Sequence, residues 1–252
     1  MTPALELAGA TVRLAGRTVL DGVGLSMAPG EVLGVLGANG SGKTTLVRAA
    51  LGLQRLSSGS ARLGGKLVGS LSEAQRAALA GYLPQERRVG WNLPAWRVAA
   101  LGAVNHPPAV AHATALAELA DLGMSQLQDR GVLDMSGGER AKVLIARLLA
   151  TGAPLLVADE PAAGLDPDAQ LLVLERLRAR ATSGVAVMVT LHDLSLAVRA
   201  CDRLAVLHRG RLTALDEPRA ALSAAVLRQA FGLDGAVVDT PAGPVVAVRR
   251  GG

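Results

Sequence analysis

A glycine-rich segment near the amino terminus has the residue types and spacing of a phosphate-binding loop. Gly37, Gly42, Lys43 and Thr44 occupy the fixed positions of the pattern G-x-x-x-x-G-K-[ST]. Glycines let successive backbone N–H groups face phosphate oxygens, the lysine adds positive charge near the β and γ phosphates, and the threonine can ligate Mg²⁺. An ordinary glycine-rich turn is the alternative. The predicted phosphate-binding residues are Gly37, Ala38, Asn39, Gly40, Ser41, Gly42, Lys43, Thr44 and Thr45.

Two consecutive acids follow a second apolar run. Leu155–Ala158 is predicted as a strand, and Asp159 and Glu160 stand directly after it. This places both carboxylates at the carboxyl edge of a sheet, beside the phosphate-binding loop. Asp159 is predicted to hold Mg²⁺ through its water shell, and Glu160 to be the general base that orients an attacking water. Turn or helix-cap residues are the alternative interpretation of such a pair.

A third motif lies between these two. Ser136, Gly137, Gly138 and Glu139 open a predicted helix that runs to Leu149. The serine hydroxyl, the glycine N–H groups and the positive end of the helix converge there, which predicts a second anion site. A plain helix cap, with Glu139 in the first turn, is the alternative. The order of the three motifs along the chain favours the anion site.

The elements that position these residues alternate between strands and helices. Leu5–Leu14 and Val19–Met27 predict two strands around a turn. Val32–Leu36 and Val185–Thr190 predict further buried parallel strands. A helix is predicted over Pro167–Arg180, between the strand Leu155–Ala158 and the strand Val185–Thr190. The fold class is therefore α/β.

The remaining segments predict an insertion and a mixed carboxyl-terminal part. From about Glu86 to Leu133 there is little strand character, and Ala109–Leu122 has helical periodicity, which indicates a helical insertion. Later segments predict helices over Leu194–Ala200 and Pro218–Phe231, short strands over Leu204–His208 and Arg211–Ala214, and a hairpin within Ala236–Val248.

Composition excludes several classes of protein. The chain is 50% hydrophobic and 19% charged, a globular balance. Its formal net charge is +5, and its basic residues are scattered along the sequence. We therefore expect a solvated surface and no nucleic-acid partner. The single cysteine, Cys201, excludes an internal disulfide. Met1–Ala10 has no secretory signal, and no apolar stretch reaches the roughly 18 to 20 residues that span a bilayer. A partner would have to supply spanning helices.

Together the three motifs resemble those of ATP-binding cassette proteins over almost the whole chain. The resemblance implies a P-loop NTPase cassette with an N-terminal antiparallel β subdomain, a parallel-sheet core and a helical subdomain. Residues 1–252 would form one domain, with 1–85 and 155–252 as the β-rich edge and RecA-like core and about 86–154 as the helical subdomain. It also implies that two copies sandwich ATP, so that Ser136, Gly137, Gly138 and Glu139 of one copy contact the γ phosphate held by the other.

The resemblance assigns further residues. Gln85 is similar to the family's glutamine that senses γ phosphate and Mg²⁺, Asp166 ends a segment similar to the loop that crosses the dimer, and His192 is similar to the switch histidine. The implied catalytic set is Lys43, Gln85, Glu160 and His192, and the implied metal set is Thr44, Gln85 and Asp159.

Three positions depart from the family pattern. Leu14 stands where an aromatic residue usually stacks on adenine, so apolar contact would replace stacking. Met135 replaces the usual leucine before Ser136, and Ala162 stands where a hydroxyl residue is frequent. Trp91 and Trp96 follow Gln85 closely, and we weigh equally a docking surface for a membrane subunit and packing within the helical subdomain.

The resemblance implies a Mg²⁺-dependent ATPase subunit, bound through permease subunits to the cytoplasmic face of the inner membrane. Residues 191–194, 203–210 and 225–232 are similar to ATPases that import iron-siderophore, haem or cobalamin, which take their solute from a binding protein. The alternatives are an exporter subunit, a soluble cassette ATPase acting on nucleic acid or ribosomes, and a P-loop kinase or GTPase.

Overall fold

The computed structural model describes residues 2–86 and 89–251. A four-stranded antiparallel sheet forms the amino-terminal edge, in the order β2-β1-β4-β5. Ala15 and Gly16 join β1 and β2, both with positive φ, which is the two-residue hairpin turn that matches strand twist. The predicted strand pair is confirmed, whereas β4 and β5 were not predicted. The strands are β1 (Leu5–Leu14), β2 (Arg17–Met27), β4 (Ser58–Leu63) and β5 (Lys66–Leu67).

A six-stranded sheet forms the core, in the order β10-β9-β3-β8-β7-β6. The strands from β9 to β6 are parallel, and β10 pairs antiparallel with β9. Every residue of β3, β7 and β8 is buried, which is why these strands read as unbroken apolar runs. The predicted α/β fold is confirmed. The strands are β3 (Val32–Leu36), β6 (Ala80–Leu83), β7 (Leu155–Asp159), β8 (Ala186–Thr190), β9 (Arg203–His208) and β10 (Arg211–Asp216).

Helices connect the core strands and cover both faces of the sheet. Helix α1 (Lys43–Ala50) follows β3, and α6 (Pro167–Thr182) crosses from β7 to β8. Apolar residues of the six-stranded sheet divide between two hydrophobic clusters, one of which also holds the inner face of the amino-terminal sheet. The carboxyl ends of the core strands are therefore held in place by a sheet that is packed on both faces.

A helical segment lies between β6 and β7. Helices α3 (Ala95–Ala100), α4 (Pro108–Asp121) and α5 (Gly137–Leu149) pack on one another, and α5 also contacts β6. The predicted helices α4 and α5 are confirmed, and α3 was not predicted. Before this segment, α2 (Glu73–Leu79) begins with a capping box between Ser72 and Gln75. Among the described residues, no helix is long and apolar enough to cross a membrane.

The carboxyl-terminal part corrects one prediction. The helix predicted over Pro218–Phe231 is two helices, α8 (Pro218–Ala221) and α9 (Ala224–Phe231). Ser223 separates them with a non-helical ψ of 156° and makes no side-chain cap bond, and serine is disfavoured in helix interiors because its hydroxyl competes for backbone hydrogen bonds. Leu222 beside it is buried in the core.

Helix α7 (Leu194–Ala200) and a closing hairpin match their predictions. The hairpin pairs β11 (Leu233–Thr240) with β12 (Gly243–Arg250) and packs on α7. Beside it, Cys201 is buried, and burial raises the pKa of its thiol to about 12.

Candidate functional site

Backbone conformation builds the phosphate-binding loop, residues 37–44. Gly37 and Gly42 have φ of 151° and 108°, which side chains rarely tolerate. A Cβ at Gly37 would lie 2.4 Å from the carbonyl oxygen of Leu207, and one at Gly42 would lie 2.9 Å from Leu20 Cδ2. Glycine is therefore required at both positions, by conformation and by close packing.

The loop leads into a helix end that has no internal cap. Gly42 precedes α1 without a side-chain hydrogen bond to the first turn. Ser41 Oγ is buried and has no hydrogen-bond partner among the described residues. Since orphan donors at a helix start favour an anion, this end of α1 has free groups for phosphate oxygens.

Lys43 lies inside the loop. Its Nζ donates to the carbonyl oxygens of Gly37 and Ala38, at 2.8 and 3.5 Å. Burial lowers the pKa of the Lys43 ammonium, and the nearby carboxylates of Glu160 and Asp159 oppose that shift. The ammonium is thus held where it can exchange carbonyl partners for phosphate oxygens.

A pocket of about 380 Å³ brings together nine of the nineteen predicted site residues. Gln85 and Glu160 line it together with residues of the loop, and Val19 is an apolar lining residue that sequence reasoning missed. Leu14 is outside this lining and is 40% exposed at the end of β1. The predicted phosphate-loop residues that line the pocket are Asn39, Gly40, Ser41, Gly42, Lys43, Thr44 and Thr45.

Asp159 is fully buried at the end of β7, and only one of its carboxylate oxygens is occupied. Oδ1 accepts a 2.6 Å hydrogen bond from Thr190 Oγ1 on β8, while Oδ2 is buried with no hydrogen-bond partner in the described chain. Buried polar atoms ordinarily have partners. A buried carboxylate oxygen without a protein partner fits Mg²⁺, which prefers oxygen ligands and retains several waters.

Glu160 comes next and contacts His192. Its Oε1 lies 2.5 Å from His192 Nε2, and its backbone N–H donates to Thr190 Oγ1 at 2.8 Å. Glu160 has a φ of 55°, in the left-handed region that costs an L-residue roughly 1 to 2 kcal/mol. Such strain persists where surrounding contacts fix it, so the contacts to Thr190 and His192 hold this carboxylate in place.

The second anion motif forms a closed cap. Ser136 Oγ accepts from the Glu139 N–H, and the Glu139 carboxylate accepts from the Ser136 N–H, at 3.2 and 2.8 Å. Hydrogen bonding from the backbone N–H of Ser136, and then from its side chain, lowers the pKa of the Glu139 carboxyl. Ser136 and Gly137 are exposed, and the motif does not line the loop pocket. Asp166 likewise caps a helix, accepting from the Ala169 N–H at the start of α6.

The fold and this pocket define a P-loop nucleotide-binding protein, with a phosphate loop between β3 and α1 and acids at the end of β7. A family model described as ABC transporter matches residues 20–163. The chain belongs to this family of ATP-binding cassettes. Its antiparallel edge, parallel core and inserted helices are the expected architecture.

Known proteins similar to the chain carry import functions in their names. The hemin import ATP-binding protein of Myxococcus xanthus is 40% identical, over 95% of this chain and 94% of that protein. The cobalamin import ATP-binding protein of Halobacterium salinarum (strain R1) is 38% identical over 97% of this chain, which spans 63% of that longer protein.

Solved structures share the fold. One neighbour, an ATP-binding subunit of an ABC transporter, is 26% identical with a TM-score of 0.78, covering 85% of this chain and 90% of that one. Another, an ATP-binding cassette in a dimer with ADP and phosphate, is 22% identical with a TM-score of 0.78, over 85% of this chain and 99% of that one.

Proposed function

We propose that this chain hydrolyses Mg²⁺-ATP and that hydrolysis powers transport across a membrane. The observation that carries the proposal is the position of Glu160, on the same pocket as the phosphate loop and bonded to His192. A carboxylate held there can accept a proton from a water that attacks the γ phosphate. The two requirements of phosphoryl transfer, phosphate binding and a base, thus meet in one pocket.

Four side chains have separate roles in this proposal. Lys43 neutralises charge on the β and γ phosphates, and Gln85, on the pocket wall, senses the γ phosphate. Glu160 orients the water and takes its proton at the carboxylate, while His192 holds Glu160 through Nε2 and contacts the γ phosphate. Backbone N–H groups of residues 37–44 orient the phosphates.

The magnesium ion would be held by Thr44, Gln85 and Asp159, whose oxygens are the ligands it prefers. When bound, it neutralises charge that develops on the phosphate oxygens. Asp159 contributes through Oδ2, the oxygen that the protein itself leaves without a partner.

A second copy of the chain completes the site in this proposal. Ser136, Gly137, Gly138 and Glu139 lie away from the loop pocket and are exposed or half-buried, as an interface motif requires. They would contact the γ phosphate of the other copy's ATP, with Asp166 in the segment that crosses the dimer. The dimeric arrangement of one structural neighbour supports this.

The transported solute is proposed from the names of the relatives. Two of them are named for hemin and cobalamin import, which favours an importer of haem, cobalamin or iron-siderophore over an exporter. Permease subunits, supplied with solute by a binding protein, would hold the chain at the cytoplasmic face of the inner membrane. The division into a core of residues 1–85 and 155–252 and a helical subdomain of about 86–154 belongs to the same proposal, as does contact of Leu14 with adenine.

Phosphate release by the purified chain tests the ATPase proposal. We expect release from ATP that requires Mg²⁺ and stops when EDTA is added. A folded chain that binds Mg²⁺-ATP but releases no phosphate at any protein concentration would contradict it. Uptake of radiolabelled cobalamin or haem into vesicles with the cognate permease tests the importer proposal separately.

A further inference from the structure

Thr190 is a buried polar residue at the end of an otherwise apolar strand. It is fully buried, and β8 contributes only apolar residues before it. The register of the parallel sheet pairs Thr190 with Asp159 on β7 and with Val35 on β3. It therefore lies in the centre of the sheet, between the phosphate loop strand and the strand with the acids.

The hydroxyl of Thr190 bonds to both acids at once. It accepts from the Glu160 N–H at 2.8 Å, which leaves its own hydrogen free to donate to Asp159 Oδ1 at 2.6 Å. Only a group that both donates and accepts can make this pair of bonds. A valine of the same shape makes neither.

These bonds determine how each acid is presented. Because Oδ1 already accepts the Thr190 bond, Oδ2, which has no partner in the described chain, is the oxygen that remains for a cation or its waters. The bond to Thr190 anchors the Glu160 N–H and helps to hold the Glu160 backbone at a φ of 55°. This backbone turn sets the direction of the proposed base, Glu160, relative to the proposed metal-binding residue before it, Asp159.

We infer that Thr190 is a positioning residue, whose hydroxyl orients Asp159 toward Mg²⁺ and Glu160 toward the attacking water. The inference rests on the proposed function, since it concerns the same site. Partners that orient metal ligands typically change metal affinity or activity by about 10- to 100-fold when they are removed. Sequence motifs do not indicate such a role for Thr190, because its partners are 30 and 31 residues away along the chain.

The test separates magnesium binding from nucleotide binding. Calorimetric titration with a non-hydrolysable ATP analogue, over a series of Mg²⁺ concentrations and in EDTA, is done on wild type and on Thr190→Val. We expect the Mg²⁺ concentration for half-maximal enhancement to rise about 10- to 100-fold in Thr190→Val, with unchanged affinity in EDTA. Thr190→Ser retains the hydroxyl and should restore the wild-type value.

Thr182→Val is the matched control, since Thr182 is exposed at the end of α6 and its hydroxyl donates to the Arg178 carbonyl oxygen, away from both acids. It should leave the Mg²⁺ dependence unchanged. Equal Mg²⁺ dependence in Thr190→Val and wild type would overturn the inference, as would equal weakening with and without Mg²⁺. If Thr190→Val does not fold, Thr190→Cys replaces it, and a wild-type Mg²⁺ dependence there would overturn the inference because a thiol is a weak donor and acceptor.

Failure of the proposed function gives a different result. In that case wild type releases no phosphate from Mg²⁺-ATP, whatever the Mg²⁺ dependence of nucleotide binding in Thr190→Val. If wild type shows the enhancement and Thr190→Val does not lose it, only the inference about Thr190 fails.

Discussion

Two helices begin at predicted anion sites, and they begin differently. Helix α1 starts after Gly42 with no side-chain cap, and its first turn lines the nucleotide pocket. Helix α5 starts with Ser136 and Glu139 bonded to each other, away from that pocket. Among the described residues, the start of α1 has a hydroxyl, Ser41 Oγ, without a hydrogen-bond partner. At the start of α5, the N–H groups of Ser136 and Glu139 already have partners.

This difference indicates what each end can bind alone. Under the proposed function, Lys43, the loop N–H groups and Ser41 Oγ at the start of α1 would bind phosphate within one chain. At α5, the N–H groups of Gly137 and Gly138 are among those that a helix start leaves without an intrahelical partner, while Ser136 Oγ already accepts a bond in the cap. We therefore expect nucleotide affinity to come mainly from α1, and α5 to act only when a second copy brings its phosphate there.

The largest effect is expected from Glu160→Gln, in which ATP should still bind at the phosphate-binding loop before α1. Turnover should fall roughly 10²- to 10⁴-fold because an amide cannot serve as general base. ATP binding should persist and trap the dimer in which α5 is engaged. Size-exclusion chromatography with Mg²⁺-ATP measures this, and exposed Glu175→Gln is the matched control. A variant that stays monomeric well above its ATP affinity would argue against the sandwich.

Lys43→Ala should weaken the binding of ATP at the phosphate-binding loop before α1. We expect ATP affinity to fall at least about 30-fold, since a charged hydrogen bond contributes about 1.5 to 3 kcal/mol and Lys43 can make more than one. Isothermal titration measures the affinity, with the exposed Lys66→Ala as control. Unchanged affinity in folded Lys43→Ala would remove this lysine from the site.

Ser136→Ala tests whether α5 has more than a plain cap. Loss of the cap should lower the free energy of unfolding by about 0.5 to 2 kcal/mol. Ser72→Ala breaks the equivalent capping box of α2 and should cost a similar amount. Only Ser136→Ala should reduce the ATP-dependent dimer in the Glu160→Gln background, with monomer affinity unchanged. Equal dimerisation of both variants would leave Ser136 as a cap alone.

The two tryptophans lie on neither helix end and should give the smallest effects on the isolated chain. Trp91 is 75% exposed, so Trp91→Ala should change unfolding free energy by less than about 0.5 kcal/mol. Trp96 packs against the core and its ring meets His112 edge-on at 4.6 Å, so Trp96→Ala should cost about 1 to 3 kcal/mol.

Transport then distinguishes the two roles. If Trp91 docks a membrane subunit, Trp91→Ala should reduce transport in reconstituted vesicles while ATPase activity of the free chain is retained. Parallel loss of transport, ATPase activity and stability would assign Trp91 to packing. The exposed ring favours docking for Trp91, and the half-buried ring favours packing for Trp96.

Elements with a complete local signal could be predicted from the sequence, and others could not. The strand Val32–Leu36 and the helix Leu194–Ala200 have the predicted bounds, because apolar pattern and flanking residues agree. Strand β4 could not be predicted, since Ser58–Leu63 is largely polar and its pairing with distant β1 decides its conformation. Helix α3 was not predicted for a different reason: its six residues are too few to show a helical period.

The candidate site shows the same division. The phosphate loop and its lysine are local patterns, and the pocket contains them. Val19 and Thr190 carry no motif, because their positions depend on strand register and on packing across the sheet. Sequence alone also did not show that Ser136 and Glu139 bond to each other, although their spacing permits it.

The buried cysteine makes the chain a convenient subject for probe chemistry. Cys201 is the chain's one cysteine, and its buried thiol, with a pKa of about 12, carries almost no thiolate at neutral pH. Maleimide dyes and disulfide cross-linkers should therefore pass over it in the folded protein. A single cysteine introduced at an exposed position outside the predicted site, Lys66 in one variant and Asp129 in another, would then report a distance between two copies, without first removing the natural thiol.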